Sequence, residues 1–470
     1  MQSIILILPE LFLAISIMSL LMIGVFVKKS FRLVNLLTIL SLIFATALVL
    51  NQPNKIIKIF NESYIIDEFS IFMKTLTLIF SFLLLLSSKD YIKCNNMDKI
   101  EYPIIILTST LGMFLMISSY DLIVFYLGLE LQSLSLYILA SFKRNDEKST
   151  EAGLKFFVLS ALSTGLLLYG FSLIYGFTGS TNFETISNNL EKTNTGAVFG
   201  LVFIIVGLAF KVSAVPFHMW TPDVYEGAPT SVTSFFALIP KIAALAVFIR
   251  FMYVPFVNII AHWQIIIVFL SIGSMILGAF AAIGQNNIKR LMAYSSIGHM
   301  GYALAGLATA TNSGIQSTII YLTIYLVMNL GIFGCIFMMK RENIFYENIN
   351  ELSGLSKNHP MLAFSFLIIL FSLAGIPPLA GFFAKFYIFM SVIESGMYTL
   401  AVIGLVTTVI SAFYYLRIIK IIYFDKPKKP FEETYDLGIK IPLIISSFLI
   451  LIYFIYPSIL VDAVSSILIY

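Results

Sequence analysis

Apolar runs of roughly twenty residues, separated by short polar stretches, recur along the whole chain. Within the runs polarity does not alternate, so they read as membrane-crossing helices and not as strands of a β-barrel. Fourteen spans are predicted: 4–26, 33–50, 70–87, 103–119, 121–141, 153–176, 196–219, 232–253, 263–283, 291–310, 315–339, 361–394, 398–422 and 441–464. Most are near the ~20 residues a helix needs to cross a bilayer. The twelfth is too long, because a straight helix of that length would measure ~50 Å. It contains LAGIPPLAG (373–381) and is predicted to be a broken helix. Span seven is bent at Pro216, where proline removes a helix hydrogen bond. Backbone groups freed this way are tolerated in a membrane only inside the protein or beside water.

The two breaks occupy corresponding places. Counted from span four, the broken span seven is the fourth of five; counted from span nine, the broken span twelve is again the fourth. Five is odd, so the second unit is expected to be inverted relative to the first, and the order of lysine and proline reverses accordingly: Lys211 precedes Pro216, whereas Lys385 follows Pro378. The expected fold is an all-α polytopic membrane protein with two inverted five-helix repeats and discontinuous helices seven and twelve. Its parts are a three-helix N-terminal region (1–102), a first repeat forming a proton half-channel (103–253), a second repeat (254–424), and a C-terminal loop with the last span (425–470).

Composition agrees: 59% of the 470 residues are hydrophobic and 11% charged, against about 25% charged in soluble domains. The N-terminal run lacks a basic start and is too long for a signal peptide, so no cleavage is expected. Of the two cysteines, Cys94 lies in a polar loop and Cys335 in an apolar span. With no CxxC or Cys/His cluster, no zinc or iron–sulfur site is expected. Without a GxGxxG or GxxxxGK[ST] motif, the chain is expected to bind no nucleotide. The net charge of +4 points to no nucleic-acid partner; the placement of the charges carries more.

Loops after odd-numbered spans carry nineteen basic residues: Lys28, Lys29, Arg32, Lys89, Lys93, Lys99, Lys143, Arg144, Lys148, Lys289, Arg290, Lys340, Arg341, Lys357, Lys420, Lys426, Lys428, Lys429 and Lys440. The opposite set is Lys55, Lys58, Lys192 and Arg250. The positive-inside rule places the first set in the cytoplasm and both termini outside.

Six basic residues remain, all within predicted spans: Lys74, Lys155, Lys211, Lys241, Lys385 and Arg417. A lysine at a helix centre costs roughly 2.5–3.5 kcal/mol on insertion scales, so depth separates them. Lys74 and Arg417 lie near span ends, where snorkelling or a structural pair explains them. Lys155 is near a cytoplasmic end and reads either way. Lys211, Lys241 and Lys385 are deeper, and proton carriage competes with burial in structural ion pairs. Glu130, mid-span, is an available mate for Lys211. Burial raises a carboxylate pKa and lowers that of a lysine, while a neighbouring carboxylate pulls the lysine back up, which makes such a pair a switchable proton carrier. His218 and His299 titrate near neutrality with little tuning, although a lone intramembrane histidine is more often a packing residue. Glu10, Asp121, Asp223, Glu226 and Glu394 lie at span edges and have structural readings; Glu10 is the deepest.

The stretches KVSAVPFHMWTPDVYEGAPT (211–230), NNIKRLMAYSSIGHMGY (286–302) and AGIPPLAGFFAKFYIF (374–389) resemble the antiporter-like membrane subunits of the proton-pumping NADH–quinone oxidoreductase, respiratory complex I. The family also includes the Mrp-type cation/proton antiporters. The resemblance spans essentially the whole chain. Three features favour the N branch: the end after span fourteen, without the lateral helix of L; the form TPDVYEGAPT; and a lysine at 385, where M has a glutamate.

The resemblance implies roles. Glu130 corresponds to the span-five glutamate that modulates the span-seven lysine, here Lys211. Lys155 corresponds to the additional span-six lysine, Lys241 to the central span-eight lysine with His299 near it, and Lys385 to the exit-side residue. With His218 these form the expected relay, from the cytoplasm near Glu130 and Lys211, along the midplane, and outward through Lys385. No cofactor is implied for this chain; NADH, flavin (FMN), iron–sulfur clusters and quinone would be bound by partner subunits. The implied setting is the bacterial cytoplasmic membrane, among other antiporter-like and small membrane-arm subunits. The readings weighed against it are an Mrp-type cation/proton antiporter, a scaffold with purely structural charges, and a small-solute carrier.

Overall fold

The computed structural model describes residues 2–27, 30–190, 195–433 and 436–467; Lys28, Lys29 and Lys192 lie outside the described residues. The principal helices are α1 (Leu8–Phe26), α2 (Phe31–Leu50), α3 (Glu68–Ser87), α4 (Glu101–Ile117), α5 (Leu122–Ala140), α6 (Glu147–Thr178), α7 (Thr195–Val212), α8 (Trp220–Gly227), α9 (Thr230–Tyr253), α10 (Ile260–Ile283), α11 (Ile288–Ala308), α12 (Asn312–Phe337), α13 (Pro360–Ala374), α14 (Ala380–Glu394), α15 (Tyr398–Phe424), α16 (Leu437–Ile452) and α17 (Ser458–Ser465). Among the described residues, ten helices are long and apolar enough to cross a membrane, and α4, α13 and α16 are shorter apolar helices. Polar side chains set several of the starts: Asp67 caps α3 in a reciprocal capping box with Ser70, and Asp121 and Asn287 cap α5 and α11. That gives Asp121 the structural role its position suggested.

Both predicted breaks exist. Helix α7 of span seven stops at Val212, before Pro216, and span twelve divides into α13 and α14. The first break starts earlier than Pro216, however, because Ser213 already turns left-handed at φ 64°. The stretch after the break, read as a loop, contains α8. Span fourteen is also interrupted, between α16 and α17, just before Pro457. Two small hairpins depart from an all-helical chain: β1 (Ile57–Ile59) with β2 (Tyr64–Ile66), and β3 (Lys340–Arg341) with β4 (Ile344–Phe345).

Helix α9 is the axis of the bundle. Every residue from Thr230 to Met252 is buried, whereas α1, α2 and α15 leave long apolar faces exposed. Close approach of α10 and α11 depends on small residues: a Cβ on Gly278 would lie 2.5 Å from the Gly298 nitrogen. The loops gather at two ends. At one end Lys340 meets Asp90, Lys143 reaches Asn95, Lys289 pairs with Glu347 and Lys428 with Glu351. At the other Lys58 pairs with Glu184, Asn182 donates to the Glu62 carbonyl and Asn258 to that of Ser187. The basic-rich loops thus share one face of the bundle.

Candidate functional site

Lys211 lies in the last turn of α7, two residues before the chain turns out of the helix. The indole nitrogen of Trp220 donates at 3.0 Å to the Phe210 carbonyl, which also accepts from the Ser213 amide at 3.1 Å, so the last turn of α7 is tied on both sides of the break. The Lys211 ammonium donates to Ser133 Oγ on α5 and to Ser160 Oγ on α6, both at 2.8 Å. Tyr137 OH donates to the same Ser160 oxygen at 2.6 Å. Glu130 is one turn before Ser133 and half-buried, and its Oε1 is buried without a hydrogen bond. It forms no ion pair with Lys211 within 4 Å; the two serines hold the ammonium instead.

The break and α8 are lined with polar atoms that are buried and unbonded by protein: Ser213 Oγ, His218 Nδ1, Thr221 Oγ1 and Tyr225 OH. Buried polar groups normally find partners, so this run, His218 included, makes the break a polar region inside the bundle.

Lys241 follows Pro240 inside α9 and is 1% exposed. It donates to Ser296 Oγ of α11, and its ammonium lies 5.9 Å from the Tyr225 ring centre. Ser296 is hydrogen-bonded in turn to Tyr325 of α12 at 2.8 Å. One turn along α11, His299 Nδ1 meets Tyr321 OH at 2.6 Å and Nε2 meets Tyr415 OH at 3.2 Å, and Tyr415 OH lies 2.5 Å from Ser295 Oγ. The His299 and Tyr325 rings are 5.2 Å apart, which brings the two hydrogen-bonded groups together. Beyond them Tyr302 presents its ring to Lys385 at 5.3 Å.

Lys385 is positioned by the second break. It donates to the carbonyls of Leu373 and Ala374, at 3.1 and 3.0 Å, at the end of α13. A cation is favourable at a helix C-terminus. The chain leaves α13 through Gly375 at φ 87°, where a Cβ would also lie 3.0 Å from Lys385 Cδ.

Lys155 stands apart from this interior path. Its side chain is 42% exposed and pairs with Glu151 and Asp223, each at 2.8 Å. Arg290 pairs with Asp223 at 2.8 Å and Glu226 at 3.0 Å, and these residues line a cleft of about 180 Å³ at the basic-rich end. Burial alone would raise the Asp223 carboxyl; hydrogen bonds from Lys155 and Arg290 outweigh it and hold the group below the usual carboxylate range.

Structural ion pairs occur in the bundle, but among the described residues no carboxylate lies within 4 Å of any of the three deep lysines. Lys74 does not snorkel: it is fully buried, 2.7 Å from Glu10, with Tyr64 OH bonded to both. Arg250 is not a loop residue but a buried member of α9, forked onto Asp67 at 3.0 Å on both nitrogens. Lys289, too, is buried, bonded to Glu347 and the Ala228 carbonyl. Arg417 binds the Ile283 carbonyl at the end of α10. Sequence reasoning missed the hydroxyl groups around the lysines. The signal for them is polar residues in apolar spans: adjacent Ser295 and Ser296, and Tyr321 and Tyr325 spaced one turn apart.

Comparison with known proteins places this geometry. A family profile described as NADH:quinone oxidoreductase/Mrp antiporter, TM, matches residues 119–411, which contain Glu130, Lys155, Lys211, His218, Lys241, His299 and Lys385. The chain is 61% identical to NADH-quinone oxidoreductase subunit N of Pelagibacter ubique over 98% of each. It is 53% identical to that of Parvibaculum lavamentivorans, over 97% of this chain and 95% of the relative. Among solved structures it resembles a chain of respiratory complex I from Thermus thermophilus with bound aureothin (30% identity, TM-score 0.83, 97% and 99% of the two chains). A chain of the Mrp complex from Dietzia sp., 20% identical with TM-score 0.86 over 97% and 95%, shares the fold.

Proposed function

The chain belongs to the NADH-quinone oxidoreductase subunit N family, within the NADH:quinone oxidoreductase/Mrp antiporter transmembrane family, and from this we propose how its buried residues serve proton translocation. It is an antiporter-like membrane subunit of the proton-translocating NADH–quinone oxidoreductase, working among other membrane-arm subunits. Residues 103–253 act as the first five-helix repeat, a proton half-channel, and residues 254–424 as the inverted second repeat. Protons enter from the cytoplasm near Glu130 and Lys211, pass His218 and the break to Lys241, then His299, and leave through Lys385. Lys155 serves at the mouth. Both termini face the outer side. NADH, flavin, iron–sulfur clusters and quinone are held by partner subunits; among the described residues no group of His, Cys, Asp and Glu could hold a metal ion.

One observation carries the relay. Lys211, Lys241 and Lys385 are held by hydroxyl and carbonyl oxygens, not by carboxylates. Neutral acceptors tolerate either protonation state of the amine, whereas a carboxylate in the same place would keep it charged. Serine and tyrosine hydroxyls both donate and accept, so they can pass a proton between carriers.

The test is NADH-driven proton pumping by the intact complex in vesicles, with assembly checked by native gel. Lys211→Ala is expected to assemble and to lose both pumping and coupled NADH–quinone turnover, by at least severalfold. Normal pumping from the assembled variant would make Lys211 structural and end the relay reading.

A further inference from the structure

Helix α8 has only eight residues, too few to hold its own position; a helix this short depends on tertiary ties. Its ties are unusual in where they lead. Trp220 stacks on Phe156 of α6, with ring centres 4.5 Å apart, and bonds the end of α7 beside Lys211. Thr233 Oγ1 of α9 donates to the Tyr225 carbonyl at 2.8 Å. At the solvent cleft both oxygens of Asp223 are engaged, Oδ2 by Lys155 and Oδ1 by Arg290, and Arg290 also grips Glu226 one turn on.

At 100° per residue, Asp223 and Tyr225 point to opposite sides of α8. Asp223 faces the cleft and Tyr225 is fully buried, its ring against Lys241. Arg290 begins α11, the helix whose Ser296 accepts from Lys241 and which carries His299. One carboxylate therefore ties together both neighbours of Lys241: Tyr225 through its own helix, and Ser296 through the helix of Arg290. It also ties them to Lys155 of α6, which supplies Ser160 to Lys211. A single exposed ion pair contributes little. Here one acid bridges two helices of the separate five-span units across a third.

We propose that Asp223 is a positioning residue for proton transfer: clamped by Lys155 and Arg290, it sets α8 and α11 so that Lys241 is held between Tyr225 and Ser296. Asp223 does not carry the proton; its cationic neighbours keep it ionised while the carriers behind it change state. This role rests on the relay reading above and adds a mechanical link between the two repeats.

The test uses the assembled complex in vesicles and measures NADH oxidation and protons moved per NADH for Asp223→Asn, Asp223→Glu, Arg290→Gln and the double variant D223N/R290Q. Asp223→Asn is expected to lower coupled pumping about fivefold or more, and Asp223→Glu to restore at least half of it. The double variant is expected to be no worse than the worse single one, because both break the same clamp. Wild-type pumping by D223N, or multiplicative losses in the double variant, would overturn the proposal. If D223N fails to assemble, R290Q alone decides, since Arg290 touches no carrier: normal pumping there also overturns it. Lys211→Ala separates the two ideas. Normal pumping in that variant removes the relay and the clamp together, whereas impaired Lys211→Ala beside normal D223N removes only the clamp.

Discussion

Two kinds of buried charge share this bundle and differ in what holds them. Lys74 and Arg250 are paired with carboxylates and sealed; Lys211, Lys241 and Lys385 are held by neutral oxygens. Removing one partner of a sealed pair strands the other, at a cost of about 3–5 kcal/mol. Lys74→Met is therefore expected to destabilise the subunit sharply and to lower assembled complex on native gels. The double variant Glu10→Gln, Lys74→Met is expected to recover most of the assembly and to move the wild-type number of protons per NADH. A double variant that assembles and fails to pump would bring Glu10 into the relay. Sequence showed every one of these charges but not their partners. Position along its own helix puts Lys74 near a span end; the β1–β2 hairpin, outside that helix, folds Tyr64 against it.

At the scale of elements, proline and glycine made the breaks of spans seven and twelve legible, whereas the interruption before Pro457 in span fourteen was not expected. Gly375–Pro378 divides span twelve as expected, because only glycine adopts the left-handed turn there at no steric cost. Gly375→Ala is expected to cost about 1–2 kcal/mol in backbone strain and to crowd Lys385, so protons per NADH should fall while the complex still assembles. Unchanged pumping would mean that α13 and α14 adjust freely around Lys385. The onset of the first break was not legible, since left-handed Ser213 has no local signature; α8 escaped because its eight residues carry two acids and a proline in a row that reads as loop. Loop contacts make a pH prediction. Hydrogen bonds from Lys428 and Arg341 hold the Glu351 carboxyl below its usual value. A depressed folded pKa means that the contribution is complete above the unfolded value, near ~4.3, and is lost as pH falls through the folded one. Hydrogen exchange over residues 425–433 should therefore keep the same protection from pH 8 to about 5 and lose it below. Glu351→Gln should lose it at every pH; equal protection in that variant would show that the segment is held by its other contacts, such as Asn358 to the Lys428 carbonyl and Arg341 against Phe431.

For the whole molecule, hydropathy marks which segments enter the membrane but not which of them sits at the centre. Lipid and protein core are both apolar, so α9, wholly buried, and α1, largely exposed, look alike in sequence. The polar residues break the tie, because intramembrane charges face the bundle interior, and α9 carries both Lys241 and Arg250. Charge also orients the molecule. The basic-rich loops meet one another at one end, so they lie together on one side of the membrane, and their shared positive charge favours a single orientation. If that side is the cytoplasm, a membrane-impermeant maleimide will label Asn54→Cys and not Lys357→Cys in spheroplasts, and the reverse in inverted vesicles, in a background where Cys94 is replaced by serine and Cys335 stays buried. Labelling of Lys357→Cys from outside would invert the bundle. The cleft of Lys155, Asp223 and Arg290 would then open to the periplasm, and Lys385 would become the residue at which protons are taken up.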